Sequence, residues 1–338
     1  MENRPRTQAL LVMDQETFDV QFRAGELTRL HDLADVGDPV RVDDLDEPEL
    51  RSRLRDVDVL VTSWGCPLLT RDRLARMPKL QAVFHAAGTV RTFITDEVWR
   101  RNIVVTNAAD ENAIPVAEFT VAAIVLAGKK APFLAQEARA NRVNWWYLGG
   151  RAELSNLGRT IGVVGFSRTG RRVVERLQTL DVDVLVADPF ANAAEVAALG
   201  AKLADLDDVL RASDILTLHA PELPSTHHLI GARELGVLPD GATIINTARG
   251  SIIDTAALEG ECAAGRLDAI LDVTDPEPLP ADSPLYDLPN VMITPHIAGS
   301  LGSETRRMSN SALDELERFV TGQPPRSPVT PNDLAVSA

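Results

Sequence analysis

The sequence predicts an α/β protein built from two doubly wound parallel sheets, and three observations carry that prediction. Short runs of valine, isoleucine and leucine recur along the chain without the polar alternation of a sheet wetted on one face. Segments with helical spacing separate them, the alternation expected of parallel strands joined by crossover helices. The runs fall into an early and a late set, which suggests two α/β units, and 338 residues suffice for two cores.

The early set reads as strands at Ala9–Met13, Val59–Thr62, Leu80–His85 and Ile103–Thr106. The first of these is too short for the apolar core of a signal peptide and reads as a strand that opens the fold. The stretch from Ile114 to Gly128 carries Pro115 and Glu118; as an apolar run it is too short to cross a bilayer and reads as a buried helix. The late set reads as strands at Thr160–Gly165, Val182–Ala187, Ile215–His219, Thr243–Asn246, Ala269–Val273 and Val291–Thr294, with helical spacing over Gly170–Leu180 and Thr255–Ala264. Gly302–Val320 reads as one helix with Met308, Ala312, Leu316, Phe319 and Val320 on one face. A helix this late can cross back onto the first unit, which makes the second unit an insertion. The last dozen residues, rich in proline and serine, read as a loose tail.

Hydrophobic residues at 45% and charged residues at 25% fit an ordinary soluble globular protein. A net charge of −15 without a Lys/Arg block argues against a nucleic-acid partner and against an anionic membrane surface. It does not exclude an anionic substrate, because one local arginine reverses the field in a cleft. Cys66 and Cys262 form neither a disulfide framework nor a metal-ligand cluster, so a cytoplasmic protein without a metal is expected.

The segment from Thr160 through Gly165, Phe166, Ser167, Arg168 and Thr169 to Gly170 reads strand, tight turn, helix. The first glycine permits the turn and the last lets helix and strand pack closely, while the helix N-terminus offers N–H groups to phosphate. Ser167 stands where a second glycine normally lets a pyrophosphate approach; its hydroxyl can bond a phosphate oxygen, at some risk to affinity. Asp188 ends the next strand, 23 residues beyond Gly165, where a carboxylate can bond ribose hydroxyls and repel a 2′-phosphate. That points to NAD rather than NADP, although such a turn also occurs with a purely structural use.

Three further motifs follow: Asn246-Thr247-Ala248-Arg249-Gly250, Asp272 through Pro276-Glu277-Pro278, and Thr294-Pro295-His296-Ile297-Ala298-Gly299. An arginine can clamp a carboxylate, a histidine can move a proton, and a hydrogen-bonded carboxylate favours the charged imidazole. Taken singly, Arg249 equally reads as a cap or surface ion pair, Glu277 as a solvated loop carboxylate and His296 as a satisfied structural histidine. Their occurrence together behind a dinucleotide-type turn is what makes a hydride-transfer site the better reading.

With His219-Ala220-Pro221, these motifs in this order resemble the D-2-hydroxyacid dehydrogenase family, the D-isomer-specific and NAD-dependent group, from about Val59 to Val320. The resemblance implies two Rossmann-like domains, with an NAD-binding domain (112–301, including the interdomain helix) inserted into a flavodoxin-like substrate domain made of 1–111 and 302–338. It implies a homodimer joined mainly through the NAD domains. It implies that His296 is the acid/base, Glu277 its support, and Arg249 the ligand of substrate carboxylate and carbonyl. It places Gly165, Ser167, Arg168, Thr169, Gly170, Asp188, His219, Ala220, Pro221, Thr226, Thr247, Ala248, Asp272, His296 and Gly299 around NAD, with Asp272 near the nicotinamide carboxamide. Ala87, Gly88 and Thr89 match a loop whose N–H groups hold the substrate carboxylate, though a plain strand-to-helix turn reads nearly as well.

The expected activity is interconversion of a small anionic 2-keto acid and D-2-hydroxy acid. Phosphite-type oxidation on the same scaffold is one alternative, and a non-enzymatic, NAD-sensing corepressor-like protein is another. Arg91 is a candidate for a second acidic group on the substrate. Trp64, Trp145, Trp146 and Tyr147 are candidates to wall the cleft, with packing the commoner use. Cys66 has no partner that suggests a nucleophile, and the side chains of His219, His227 and His228 read as structural or solvated.

Overall fold

A computed structural model describes residues 6–143 and 153–336; Trp145, Trp146 and Tyr147 lie outside them. The chain divides into two compact units, one formed by 1–112 with 300–337 and the other by 113–299.

The first unit contains β1 (Ala9–Val12), β2 (Arg41–Val42), β3 (Val59–Thr62), β4 (Ala82–His85) and β5 (Val104–Asn107) in one parallel sheet of order β2-β1-β3-β4-β5, the flavodoxin-like order. Side chains alternate between its two faces, so each face needs its own apolar cover. Leu10, Val12, Leu60, Val83 and Val105 share one cluster with Leu54, Leu74 and Val98. Ala9, Leu11, Val59, Val61 and Phe84 share another with Leu30, Ala312, Leu313 and Leu316. That second set includes the late helix, which does return to the first unit, with Phe319 and Val320 also packed there and Met308 buried beside Ala87 and Ala108. Residues Gly302–Glu304 form a 3-10 turn, so the α-helix itself is Thr305–Val320.

The C-terminal segment is not a loose tail. The Val329 N–H donates to the Val105 carbonyl at 2.8 Å, Pro328 bridges Thr106, and Pro331–Val336 is helical. The buried Glu315 carboxylate accepts the N–H groups of Arg326 and Ser327, so a polar residue inside the core anchors a proline-rich strap.

The second unit holds β6 (Arg159–Val164), β7 (Val182–Ala187), β8 (Lys202–Leu203), β9 (Ile215–Leu218), β10 (Thr243–Asn246), β11 (Asp268–Leu271) and β12 (Val291–Ile293). They pair in parallel in the order β12-β11-β10-β9-β6-β7-β8. The order reverses between β6 and β9, and ligands of such sheets bind outside the strand C-termini at that switch point. Its two faces again split by parity: Leu216, Ile244 and Leu271 lie in one cluster, Ile215, Ile245 and Ile270 in the other.

The apolar stretch that begins near Ile114 belongs to a longer helix, Ala109–Gly128, whose 20 residues are long and apolar enough, by length and composition, to cross a membrane. The expectation that the segment is too short therefore fails, because the helix starts upstream of the apolar run. Ala117, Ala123, Ile124 and Ala127 are buried with Ile161, Val163 and Val173, which makes it a core helix of the second unit.

Candidate active site

Gly165 follows β6 with φ +96°, and a Cβ there would lie 2.4 Å from the Ala220 nitrogen. The chain after β9 thus passes too close for any side chain. At Gly170 a Cβ would lie 2.0 Å from the Gly165 carbonyl oxygen, so helix Arg168–Leu177 is pressed onto the turn. Ser167 caps this helix: its hydroxyl oxygen accepts the Gly170 N–H at 3.3 Å, which leaves its O–H able to donate. Asp188 braces the turn from the next strand, accepting the Phe166 N–H at 2.6 Å and the Phe190 N–H at 2.8 Å. Each oxygen retains lone pairs for a further donor.

His219 follows β9 at the switch point. It is buried, its Nε2 meets the Thr217 hydroxyl at 3.0 Å, and its Nδ1 is a buried polar atom without a partner among the described residues. The closely walled turn, the capped helix N-terminus and this orphaned nitrogen fit a bound dinucleotide. Burial pushes the His219 imidazole down to about 3. Folded protein keeps it neutral, whereas the unfolded chain protonates it below about pH 6.5. Stability from this residue is therefore present above pH 6.5 and lost as pH falls toward 3. Urea unfolding should show wild type losing about 2 kcal/mol more than His219→Asn between pH 7 and pH 5; equal losses would exclude a neutral buried imidazole.

Of the other expected cofactor residues, Thr226 turns its hydroxyl onto its own loop, donating to the Pro221 carbonyl at 2.5 Å. Thr247 is buried with its hydroxyl 2.8 Å from that of Thr120, and so anchors the end of β10 to helix Ala109–Gly128. Ala220, Pro221, Ala248 and Gly299 present backbone rather than reactive groups, and Arg168 and Thr169 form the first turn of the capped helix.

Arg249, Asp272 and His296 follow the C-terminal ends of three adjacent strands, β10, β11 and β12. Neighbouring strands lie about 4.8 Å apart, so their ends form one short ledge. Asn246 shapes the first turn: its side-chain Oδ1 accepts the Ala248 N–H at 3.0 Å and its side-chain Nδ2 donates to the Arg249 carbonyl at 2.8 Å. The Arg249 guanidinium donates to the Ala248 carbonyl, and Glu222 stands 3.9 Å from its Nε. Gly250 packs so tightly that a Cβ would sit 2.0 Å from the Thr274 backbone, which ties this turn to the segment leading to Glu277.

Asp272 is 2% exposed and organises the histidine turn. Its carboxylate accepts the Thr294 hydroxyl at 2.6 Å and the N–H groups of Ile297 and Ala298 at 2.8 and 2.9 Å, while its carbonyl accepts the His296 N–H at 2.9 Å. His296 is held at φ +54°, a region that non-glycine residues seldom occupy. Its Nδ1 lies 2.7 Å from Glu277 Oε1. Both side chains remain about half exposed, so the other ring nitrogen is accessible. An open cavity of about 650 Å³ is lined by residues that include His296, Glu277, Asp272, Thr294, Tyr286 and Gln136.

The expected substrate loop belongs to the first unit. Ala87, Gly88 and Thr89 follow β4, where the Ala87 carbonyl accepts the Ala108 N–H at 3.0 Å. Arg91 donates to the Leu334 carbonyl of the C-terminal helix, so part of its guanidinium serves to hold that helix. Beside this loop His85 is fully buried, 2.9 Å from the Thr62 hydroxyl, and burial pushes it down to about 3. Cys66 and Cys262 are free thiols whose burial raises their pKa, which does not favour nucleophiles.

Residues 121–298 match the model of the D-isomer specific 2-hydroxyacid dehydrogenase NAD-binding domain. The chain is 30% identical over 293 residues to a D-3-phosphoglycerate dehydrogenase of Methanocaldococcus jannaschii, covering 86% of this chain and 55% of that protein. It is 33% identical over 291 residues to a glyoxylate reductase of Aeropyrum pernix, covering 82% of this chain and 84% of that one. The D-lactate dehydrogenase of Lactobacillus jensenii, solved with NAD+, shares the fold with a TM-score of 0.80, 22% identity, and coverage of 96% of this chain and 100% of that one. The chain spans about half the length of the D-3-phosphoglycerate dehydrogenases it matches. The Gly165 turn at the sheet's switch point, the strand-end ledge and these likenesses together lead to one assignment: the chain belongs to the D-isomer specific 2-hydroxyacid dehydrogenase family, with residues 121–298 matching its NAD-binding domain.

Proposed function

We propose that the chain is an NAD-dependent oxidoreductase that interconverts a small 2-keto acid and a D-2-hydroxy acid. The observation that carries this reading is the 2.7 Å His296–Glu277 pair, half open to a cavity at the strand ends, with Arg249 one sheet position beyond Asp272. Bound NADH supplies the hydride. With Nδ1 engaged by Glu277, Nε2 of His296 gives its proton to the oxygen that becomes the hydroxyl, and takes it back in the reverse direction. The Arg249 fork binds the substrate carboxylate and carbonyl, exchanging its bond to the Ala248 carbonyl for a charge-assisted pair. Ala87, Gly88 and Thr89 are substrate-carboxylate ligands in this reading, and a cytoplasmic homodimer goes with it.

NADH consumption against glyoxylate, hydroxypyruvate, pyruvate, phenylpyruvate and phosphorylated keto acids tests the proposal. The expected result is turnover of at least one 2-keto acid. A panel on which bound NADH is never oxidised overturns it. Asp188 makes a second expectation: a 2′-phosphate beside this carboxylate is repelled, so kcat/KM should favour NADH over NADPH by roughly tenfold or more. Equal values would remove Asp188 from the ribose site.

A further inference from the structure

We propose that His227, His228 and Asp275 form a binding site for a divalent transition-metal ion of the zinc class. From the sequence the two histidines read as solvated or structural, and nothing in their spacing links them to a residue almost fifty positions later. The fold brings one ligand atom from each of the three to within 4.8 Å of the others. The imidazole rings of His227 and His228 face each other 3.9 Å apart at 20°. Neighbouring residues reach the same side because His228 is held at φ +51°.

The spacing of the ligand atoms is close to what an ion needs, and the stacked rings must turn so that both lone pairs meet at one point. Zinc–ligand bonds of about 2.0–2.1 Å give a tetrahedral edge of roughly 3.4 Å, so ligand atoms within 4.8 Å of one another must draw in by up to about 1.4 Å. The histidines are exposed, which lets their rings make that adjustment. Two imidazoles and a carboxylate suit zinc, cobalt, nickel or copper, whereas calcium and magnesium prefer all-oxygen shells. A fourth position remains for water.

Both sides of the site rest on one segment. The His228 N–H donates to the Ser251 carbonyl at 2.8 Å and the Ile230 N–H to the Ile252 carbonyl at 3.0 Å. On the other side the Thr255 hydroxyl donates to the Asp275 carbonyl at 2.7 Å. Backbone anchoring of both ligand segments lowers the ordering cost of closing them on an ion. The site joins the stretch just after Arg249 to the stretch just before Glu277, and it uses no residue of the proposed catalytic set.

The test is calorimetric titration of zinc into the chelator-stripped, tag-free full chain, which needs neither NADH nor substrate. One equivalent should bind, and His227→Ala, His228→Asn and Asp275→Asn should each weaken it by roughly tenfold or more. Asparagine at 228 tolerates the left-handed backbone, and circular dichroism checks that each variant folds. His296→Ala should leave the equivalent in place. Cobalt in place of zinc should give visible d–d bands without thiolate charge transfer. No stoichiometric binding, binding unchanged in the three variants, or loss in His296→Ala instead would overturn the proposal; the last would assign the ion to the His296–Glu277 pair.

Discussion

His296→Ala should lower kcat on the best 2-keto acid by about 10²–10⁴-fold, the range lost when a positioned general acid is removed. Substrate binding should change far less, because Arg249 is untouched and the His296 ring makes its described hydrogen bond to Glu277 rather than to the sheet. The loss should appear equally in both directions, since one group gives and takes the same proton. Glu277→Gln keeps a hydrogen-bonding side chain but removes its charge, and should cost less than loss of the imidazole. Steady-state kinetics with each variant checks this, and near-normal turnover by His296→Ala would end its assignment as the acid.

Asp272→Ala should destabilise the second unit. It strips three donors, the Thr294 hydroxyl and the Ile297 and Ala298 N–H groups, of their acceptor, and of these the Ala298 N–H is buried away from water. A buried donor left unpaired costs about 1–3 kcal/mol, so a loss of about that size is expected. The histidine turn at φ +54° would also lose what holds it, so turnover should fall even where the variant stays folded. Denaturant unfolding read beside kcat separates the two effects: full stability with reduced activity would mean that Asp272 acts on the cofactor and does not hold the turn. The resemblance placed this residue near the nicotinamide, and its three accepted hydrogen bonds add a positioning use that the motif alone does not reveal.

What the sequence made legible follows from what is local in it. Strands such as Val59–Thr62, Val182–Ala187 and Thr243–Asn246 are apolar on both faces and bounded by polar residues, so their limits can be read directly. Arg41–Val42 and Lys202–Leu203 escape notice because two residues carry no period, and their pairing is set by the neighbouring strand. Helix Gln15–Gln21 went unread although Asp14, which accepts the Thr17 N–H, is a local start signal. The C-terminal strap looked loose because its order comes from Glu315 and Val105, both remote in sequence.

The site divides in the same way. Gly165, Arg249, Glu277 and His296 stand in short motifs and could be named at once. Asn246 and Thr294 lie inside those motifs, but their bracing depends on turns that spacing does not specify. Glu222 near Arg249, and Asp275 near His227 and His228, are products of tertiary folding alone.

The division of the first unit between the two ends of the chain has a consequence for its birth on the ribosome. Residues 113–299 are contiguous, and their sheet can be completed while the remainder is still being translated. The sheet of the first unit emerges earlier yet waits longer, because Ala312, Leu313 and Leu316, which complete the cover of Leu11, Val61 and Phe84, are made only after the second unit. Throughout that interval a row of parallel strands carries an apolar face covered only in part, by Phe22, Leu30 and their neighbours, and incompletely covered apolar surface is what chaperones bind. A helix made after the second unit therefore completes the cover of a sheet made before it.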